Sequence, residues 1–306
     1  MTALLPAQTR CSEDGTTKCL FRLADDQTIE SVLIPTRERK TVCVSTQVGC
    51  AYSCAFCASG LDGFKRNLTP GEIVQQVVRI QRSLVCHPRV REDQISASAG
   101  MTKKGVTNVV FMGMGEPLAN YDHVLKSIRI LNSPEGLAIG MRKFTISTVG
   151  LVPQIERLSK EGLQIELAIS LHAPSDELRG QIMPVNLKHP LKDLIAACRA
   201  YAKRTKRLVT FEYILLSEVN DSTEHAEELA RLLKGSFCKV NLIPCHPIPG
   251  LPFKKPPLKR MLAFERTLQA KGTVCTLRRS RGLDIEGACG QLRLQQTDKA
   301  WGGVVK

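Results

Sequence analysis

The chain has 306 residues and a hydrophobic content of 43%, which allows one large or two ordinary domains with a real core and excludes a disordered tail or a mini-protein. Lys and Arg number 43 against 29 Asp and Glu, a net charge of +14, and such a surface favours polyanionic partners without saying which. Twelve cysteines, well under the ~8–10% of a secreted disulfide scaffold, and an opening stretch with no apolar signal segment point to a reducing compartment, the cytoplasm, with organelle targeting left open.

In chain order, apolar alternation at 19–23 and 28–34, separated by Ala24-Asp25-Asp26-Gln27, predicts a β-hairpin. A strand at 42–47 leads into a cysteine-bearing loop, and a helical pattern follows at 70–83. The longest uncharged run, 41–61, is too rich in Ser, Thr, Gln, Gly and Cys to sit in hydrocarbon, so no membrane span is expected. Residues 84–105 lose all apolar period and read as a long surface loop. Strands then alternate with helices: 107–112 with 121–131, 143–147 with 152–160, 164–170 with 191–203, 208–214 with 223–233, and 239–243 with 258–270. A last strand is expected near 272–277. Six βα units are too few to close an eight-stranded barrel, so the expected fold is α/β, an open partial (β/α)6 barrel with its chemistry at the strands' C-terminal ends. Residues 1–40 are expected to form a small N-terminal β-hairpin cap, 41–277 the barrel and 278–306 a C-terminal extension. Residues 251–306 hold 12 basic and 4 acidic residues, so the excess charge is concentrated late in the chain.

The most informative segment is Gln47-Val-Gly-Cys50-Ala-Tyr-Ser-Cys54-Ala-Phe-Cys57, a C-x3-C-x2-C spacing directly after a strand. A zinc site wants a fourth protein ligand, and no second C-x2-C or H-x3-5-H pair lies downstream. Ferredoxin clusters also use four thiolates. Three buried structural thiols would not explain a polar, glycine-bearing loop at a strand end. A 4Fe-4S cluster held by three cysteines leaves one iron open, which the amine and carboxylate of S-adenosylmethionine (SAM) can chelate. With the aromatic Phe56 just before the last cysteine, the loop resembles that of the radical SAM superfamily, and on that resemblance Cys50, Cys54 and Cys57 are the cluster ligands. Gly113-Met-Gly115-Glu116-Pro117 follows a strand end, where backbone can approach a cofactor closely and Glu116 can accept from its amine. Ser147 and the run Ser170-Leu171-His172 fall at barrel-top positions, with His172 as a wall of the ribose or methionine pocket or, more blandly, a satisfied structural histidine.

Taken together, Cys43-Val-Ser-Thr-Gln-Val-Gly-Cys50, Gly63-Phe-Lys-Arg-Asn-Leu68, 109–118, Ser170-Leu-His-Ala-Pro174, Asn241-Leu-Ile-Pro244 and 281–291 resemble the adenosine-C2 RNA methyltransferase family of radical SAM enzymes. The resemblance covers roughly residues 30–292. It implies methylation of a specific adenine in large-subunit rRNA and, for dual-specificity members, in a tRNA anticodon loop, with a 4Fe-4S cluster and SAM as cofactors. Adenine C2 lies between two ring nitrogens and is too electron-poor to attack a sulfonium methyl, which makes a radical route reasonable. Carried onto this chain, the family's route has Cys289 accept a methyl from one SAM, a second SAM yield the radical that activates it, and the resulting carbon radical add to C2. Cys43 is then implied as the thiol that frees the adduct, leaving a disulfide with Cys289, and Glu30 as the group that removes the C2 proton. Read without the family, the bland alternatives, weaker but real, are Cys43 as a packed strand thiol and Glu30 as a solvated hairpin carboxylate.

The basic residues between Lys254 and Arg281 would meet RNA phosphate. His246 stands where the family commonly has Asn-Pro, as a candidate replacement SAM contact. Family members usually carry a small helical N-terminal domain ahead of the position of Glu30, and with a short stretch there its accessory RNA recognition is expected to be absent. A flavodoxin- or ferredoxin-type electron donor and a single protomer are expected. Rival readings are a family member acting at another position, such as C8, and a non-catalytic cluster protein that binds RNA.

Overall fold

The computed structural model describes residues 4–86, 105–278 and 282–285. These divide into two compact units, residues 4–50, 62–86, 105–145 and 282–285 in the first and residues 51–61 and 146–278 in the second.

In the first unit β1 (Leu5–Cys11), β2 (Thr17–Arg22) and β3 (Thr28–Pro35) form an antiparallel meander. The expected hairpin is its β2–β3 portion, closed where Asp26 takes φ 61° and Leu23 N–H donates to the Gln27 carbonyl at 2.8 Å. β3 pairs antiparallel with β4 (Lys40–Cys43), and β4 pairs parallel with the next sheet strand, so the sheet changes sense at β4. The expected strand 42–47 is broken after Cys43. Ser45 causes the break, because its hydroxyl donates to the Glu30 carbonyl and its N–H to Gln76 Oε1, while Thr46 and Gln47 N–H both turn to the Met114 carbonyl. The chain then re-enters as β5 (Gln47–Gly49), in a separate ribbon with β6 (Phe64–Asn67).

Helix α1 (Pro70–Cys86) starts at a capping box, in which Thr69 Oγ1 accepts from Glu72 N–H while Glu72 Oε2 accepts from Thr69 N–H at 2.8 Å. It buries Ile73, Val77 and Ile80, spaced on one helical face. Such side chains stabilise the unit by about 1.5–3 kcal/mol each. β7 (Asn108–Phe111) and α2 (Tyr121–Asn132) follow, and α2 packs on α1.

In the second unit β8 (Phe144–Thr148, from Ile146 onward), β9 (Glu166–Ser170), β10 (Val209–Leu215), β11 (Cys238–Pro244) and β12 (Cys275–Leu277) lie side by side in that order. β9 to β12 are parallel. Leu167, Ala168 and Ile169 of β9 are all fully buried, so both sheet faces are covered, as parallel sheets require. The connecting helices are α3 (Val152–Ser159), α4 (Asp176–Ile182), α5 (Leu191–Thr205), α6 (Thr223–Leu233) and α7 (Leu258–Ala270), with α3 packed on α5 and α6 on α7.

Every expected βα unit and the final strand are present. Three elements were not foreseen: β1, the β5–β6 ribbon and α4. β1 is an edge strand, mostly exposed, with Pro6 at a register shift, so it carries no apolar alternation to read. α4 is only 7 residues long and is announced by a cap alone, Ser175 Oγ accepting from Leu178 N–H. Among the described residues no helix is long and apolar enough to cross a membrane.

Candidate active site

Glu30 lies in β3 and is 2% exposed. A carboxylate buried this deeply needs a partner. It has one in Lys18 of β2, itself 0% exposed, whose Nζ lies 3.0 Å from Glu30 Oε2. Register fixes the neighbourhood: Lys18 pairs with Val32, and Val32 pairs with Cys43 of β4. Directly paired residues share a sheet face, as do positions two apart on one strand. Lys18, Glu30 and Cys43 therefore stand on one face of the meander, with Cys43 buried at 6%. The sequence reading placed Glu30 and Cys43 in the site but took no notice of Lys18.

The loop after β7 is built for close approach. A Cβ on Gly113 would come within 2.7 Å of the Val44 carbonyl, whose oxygen accepts from Gly113 N–H at 3.0 Å. Gly115 takes φ 94°, the left-handed region, and a Cβ there would meet Gln47 at 2.5 Å. Glu116 is buried, its N–H donating to Gln47 Oε1 at 2.8 Å and its Oε1 accepting from Leu118 N–H at 2.9 Å. Its carboxylate thus caps the turn Pro117–Asn120, a task that the sequence reading did not assign. Asn120 ties this turn to the ribbon, donating to the Thr46 and Leu68 carbonyls at 2.8 Å each.

Cys50 belongs to the first unit, where its N–H donates to the Gly63 carbonyl. Cys54 and Cys57 belong to the second, where Cys57 N–H closes a turn on the Cys54 carbonyl and Ala55 N–H donates to the Ile182 carbonyl at 2.9 Å, docking the loop on the end of α4. All three are half-buried. Among the described residues no three His, Cys, Asp or Glu side chains are gathered closely enough to hold a metal ion. The donor set nevertheless suits an iron–sulfur cluster in kind, since it offers three soft thiol ligands within eight residues and no histidine or carboxylate between them.

Behind this loop, His172 packs edge-on against Phe56, ring centroids 4.8 Å apart at 86°. Its φ is 61°, its Nδ1 accepts from Ile214 N–H at 3.0 Å, and its carbonyl accepts from Asn220 Nδ2 at 2.7 Å. The proton of the neutral ring is thereby assigned to Nε2. Burial, assisted by the nearby Arg179 charge, pulls His172 down to about 3, so it is a neutral imidazole.

Arg179, on α4, was not singled out from the sequence. It is 0% exposed, and its guanidinium donates to the carbonyls of Val149 (2.6 Å), Leu171 (3.0 Å), Ser170 (3.1 Å) and His189 (3.5 Å) and to Asn186 Oδ1 (2.9 Å). Burial draws it down to about 10. It ties together the segments leaving β8 and β9, and so holds Ser170 and Leu171 in place. No local signal marks such a residue beyond an arginine beside a short cap.

Ser147 is half-exposed near the end of β8, and His246 is half-buried just beyond β11, its imidazole lowered by burial and then by Lys255 and Arg278. Glu212 of β10 is a further buried carboxyl missed from sequence; burial raises it, while Asn241 donates to its Oε2 at 2.7 Å. Cys289 lies outside the described residues. No disulfide geometry is present among the described residues, where Cys43 is buried in the sheet; the implied Cys43–Cys289 pairing lies outside them.

Residues 89–233 match the model of the radical SAM superfamily. A crystal structure of a radical SAM methyltransferase from Sphaerobacter thermophilus superposes with a TM-score of 0.88 at 49% identity, covering 95% of this chain and 81% of that one. Fold and sequence define a radical SAM enzyme with the partial-barrel fold of that superfamily, which works with a 4Fe-4S cluster and SAM.

A probable dual-specificity RNA methyltransferase RlmN of Symbiobacterium thermophilum is 50% identical over 289 residues, 94% of this chain and 74% of that protein. The dual-specificity RNA methyltransferase RlmN of Syntrophobacter fumaroxidans is 50% identical over 281 residues, 92% and 77% of the two chains. The chain belongs to the RlmN family of radical SAM RNA methyltransferases.

Proposed function

We propose that this enzyme methylates C2 of an adenosine in RNA, in large-subunit rRNA and also in tRNA, by way of a methyl group carried on Cys289. The observation that carries the reading is the burial of Glu30 and Cys43 on one sheet face, since a protein that merely bound RNA would need neither a buried carboxylate nor a thiol beside it. Cys50, Cys54 and Cys57 hold the cluster, and Gly115, Glu116, Ser147, Ser170, Leu171, His172 and His246 border the SAM site. When bound, these cofactors supply a transferable methyl, the one-electron chemistry that turns it into a carbon radical, and an acceptor for the electron that the RNA adduct gives back.

The chain's own residues do the rest. Cys289, as thiolate, accepts the methyl. Once the methylene carbon has bonded to C2, Glu30 takes the C2 proton, which restores the aromatic ring. Cys43, as thiolate, then attacks the Cys289 sulfur; the S–S bond forms as the S–CH2 bond breaks, and that bond's electron pair passes to the methylene carbon, which takes a proton and becomes the product methyl. The two cysteines end as a disulfide that a thiol reductant reopens. Basic residues from Lys254 to Arg281 meet the RNA backbone, and the adenine leaves its stack to react. The enzyme acts as a single cytoplasmic protomer with a flavodoxin- or ferredoxin-type donor.

The test is Cys43→Ala. This variant should still load Cys289 and join to RNA, yet hold the RNA as a stable crosslink, digestible to a Cys289 peptide bearing a methylene-linked adenosine. Normal turnover, or an adduct on another cysteine, would overturn the two-cysteine route. Product identified as C8-methyladenosine would overturn the C2 assignment.

A further inference from the structure

The geometry points to Lys18 as the positioning residue for Glu30: buried on the same face of the β2–β3–β4 meander as Glu30 and Cys43, its ammonium fixes the carboxylate that takes the C2 proton. This deepens the proposed function and rests on Glu30 being the base.

The two side chains are 0% and 2% exposed and meet at 3.0 Å. A pair buried this completely is a costly way to hold a sheet together, because an apolar pair of similar volume is commonly as stable or more so. Stability alone therefore does not account for it. Position gives a better reason. Lys18, Val32 and Cys43 form one row across three strands, and Glu30 is two residues from Val32 on the same strand and face. With strands ~4.8 Å apart, the backbones of Lys18 and Cys43 stand roughly 10 Å from each other, which leaves the Lys18 stem to reach along the face toward Glu30 rather than out to solvent.

A carboxylate on a strand rotates about its side-chain torsions unless something holds it. The fixed ammonium at Oε2 selects one orientation, as a base must have one to lie within reach of a C–H proton. In the step itself the C2–H bond breaks, its electron pair stays in the ring, the proton passes to the Glu30 carboxylate, and Lys18 keeps its own protons. Lys18 touches neither RNA nor SAM in this role. It acts through Glu30.

The test follows the full chain, reconstituted with its cluster, first through methyl loading of Cys289 and then through a single turnover on an rRNA fragment transcribed with C2-deuterated or ordinary ATP. Methyl loading, protein–RNA adduct and released RNA are measured separately for the wild type, Lys18→Met, Lys18→Arg and Glu30→Gln. Lys18→Met should load methyl and form adduct at the wild-type rate but release RNA about 10-fold more slowly or worse, by the cost of a misplaced base, with a larger deuterium effect on release as proton removal becomes limiting. Lys18→Arg, which keeps the charge, should restore release to within a few-fold. Should Lys18→Met fail to fold, Lys18→Gln, neutral but able to hydrogen-bond, carries the same comparison. Unchanged release, slowed release without the larger isotope effect, or an equal decline of all three steps would overturn the assignment. If Glu30→Gln stalls at the adduct while Lys18→Met releases normally, only the role of Lys18 falls. If Glu30→Gln itself releases normally, the base assignment falls and takes this inference with it.

Discussion

Replacing Arg179 by methionine keeps the bulk of the side chain and removes its donors. Four backbone carbonyls, of Val149, Ser170, Leu171 and His189, and the Asn186 side-chain oxygen lose a partner in a site where the arginine is 0% exposed. A buried acceptor left without a donor costs ~1–3 kcal/mol, and less where another donor remains, as the Ala173 N–H does at the Leu171 carbonyl, so the gross loss approaches ~8 kcal/mol. Against this, the guanidinium no longer has to be buried, which returns several kcal/mol. The net destabilisation is about 4 kcal/mol, within the range known for breaking a buried polar network. At ~2.1 cal/mol/K of unfolding entropy per residue, the 306-residue chain should melt roughly 6 °C lower, as followed by far-UV circular dichroism. Arg179→Lys, which keeps the charge but serves fewer carbonyls, should fall between the two. A change below about 2 °C for Arg179→Met would refute the reasoning, since it would mean that water or backbone movement satisfies those carbonyls without the guanidinium.

Two further outcomes follow from the second unit. Cys54→Ala should lose the cluster that the wild type takes up on anaerobic reconstitution, read as iron and sulfide content and visible absorbance; stoichiometric zinc in the wild type, without iron absorbance, would sink the assignment of these thiols. His172 is held far below its unfolded value of 6.5, at about 3. It therefore contributes stability that is fully present above pH 6.5 and is lost as pH falls from there toward 3, because only the unfolded chain takes up the proton. His172→Gln should flatten the denaturation midpoint against pH across that window; an unchanged slope would show that the imidazole protonates in the folded protein.

Local pattern sufficed for much of this enzyme. The alternation of apolar strands and amphipathic helices from β4 to β12 was legible because each element buries one face or both, and burial writes a period into the residues themselves. The cysteine spacing stood out because ligand chemistry depends on spacing along the chain, and Gly115 because a close backbone approach needs a residue without a Cβ; its φ of 94° adds a left-handed turn that the spacing did not show. Elements with no such period escaped: the exposed edge strand β1 and the short, 7-residue α4. Polar residues escaped for a different reason. Glu30 in isolation is as good a surface carboxylate as any, and only the register of β2 against β3 brings Lys18 to it across the hairpin. Likewise, Arg179 on α4 has the composition of a solvated helix face, and only the tertiary packing of the segments after β8 and β9 puts five acceptors around its guanidinium. Hydrogen-bond and charge partners are chosen by distance in space, which chain order does not record, whereas the hydrophobic period is a property of each segment by itself.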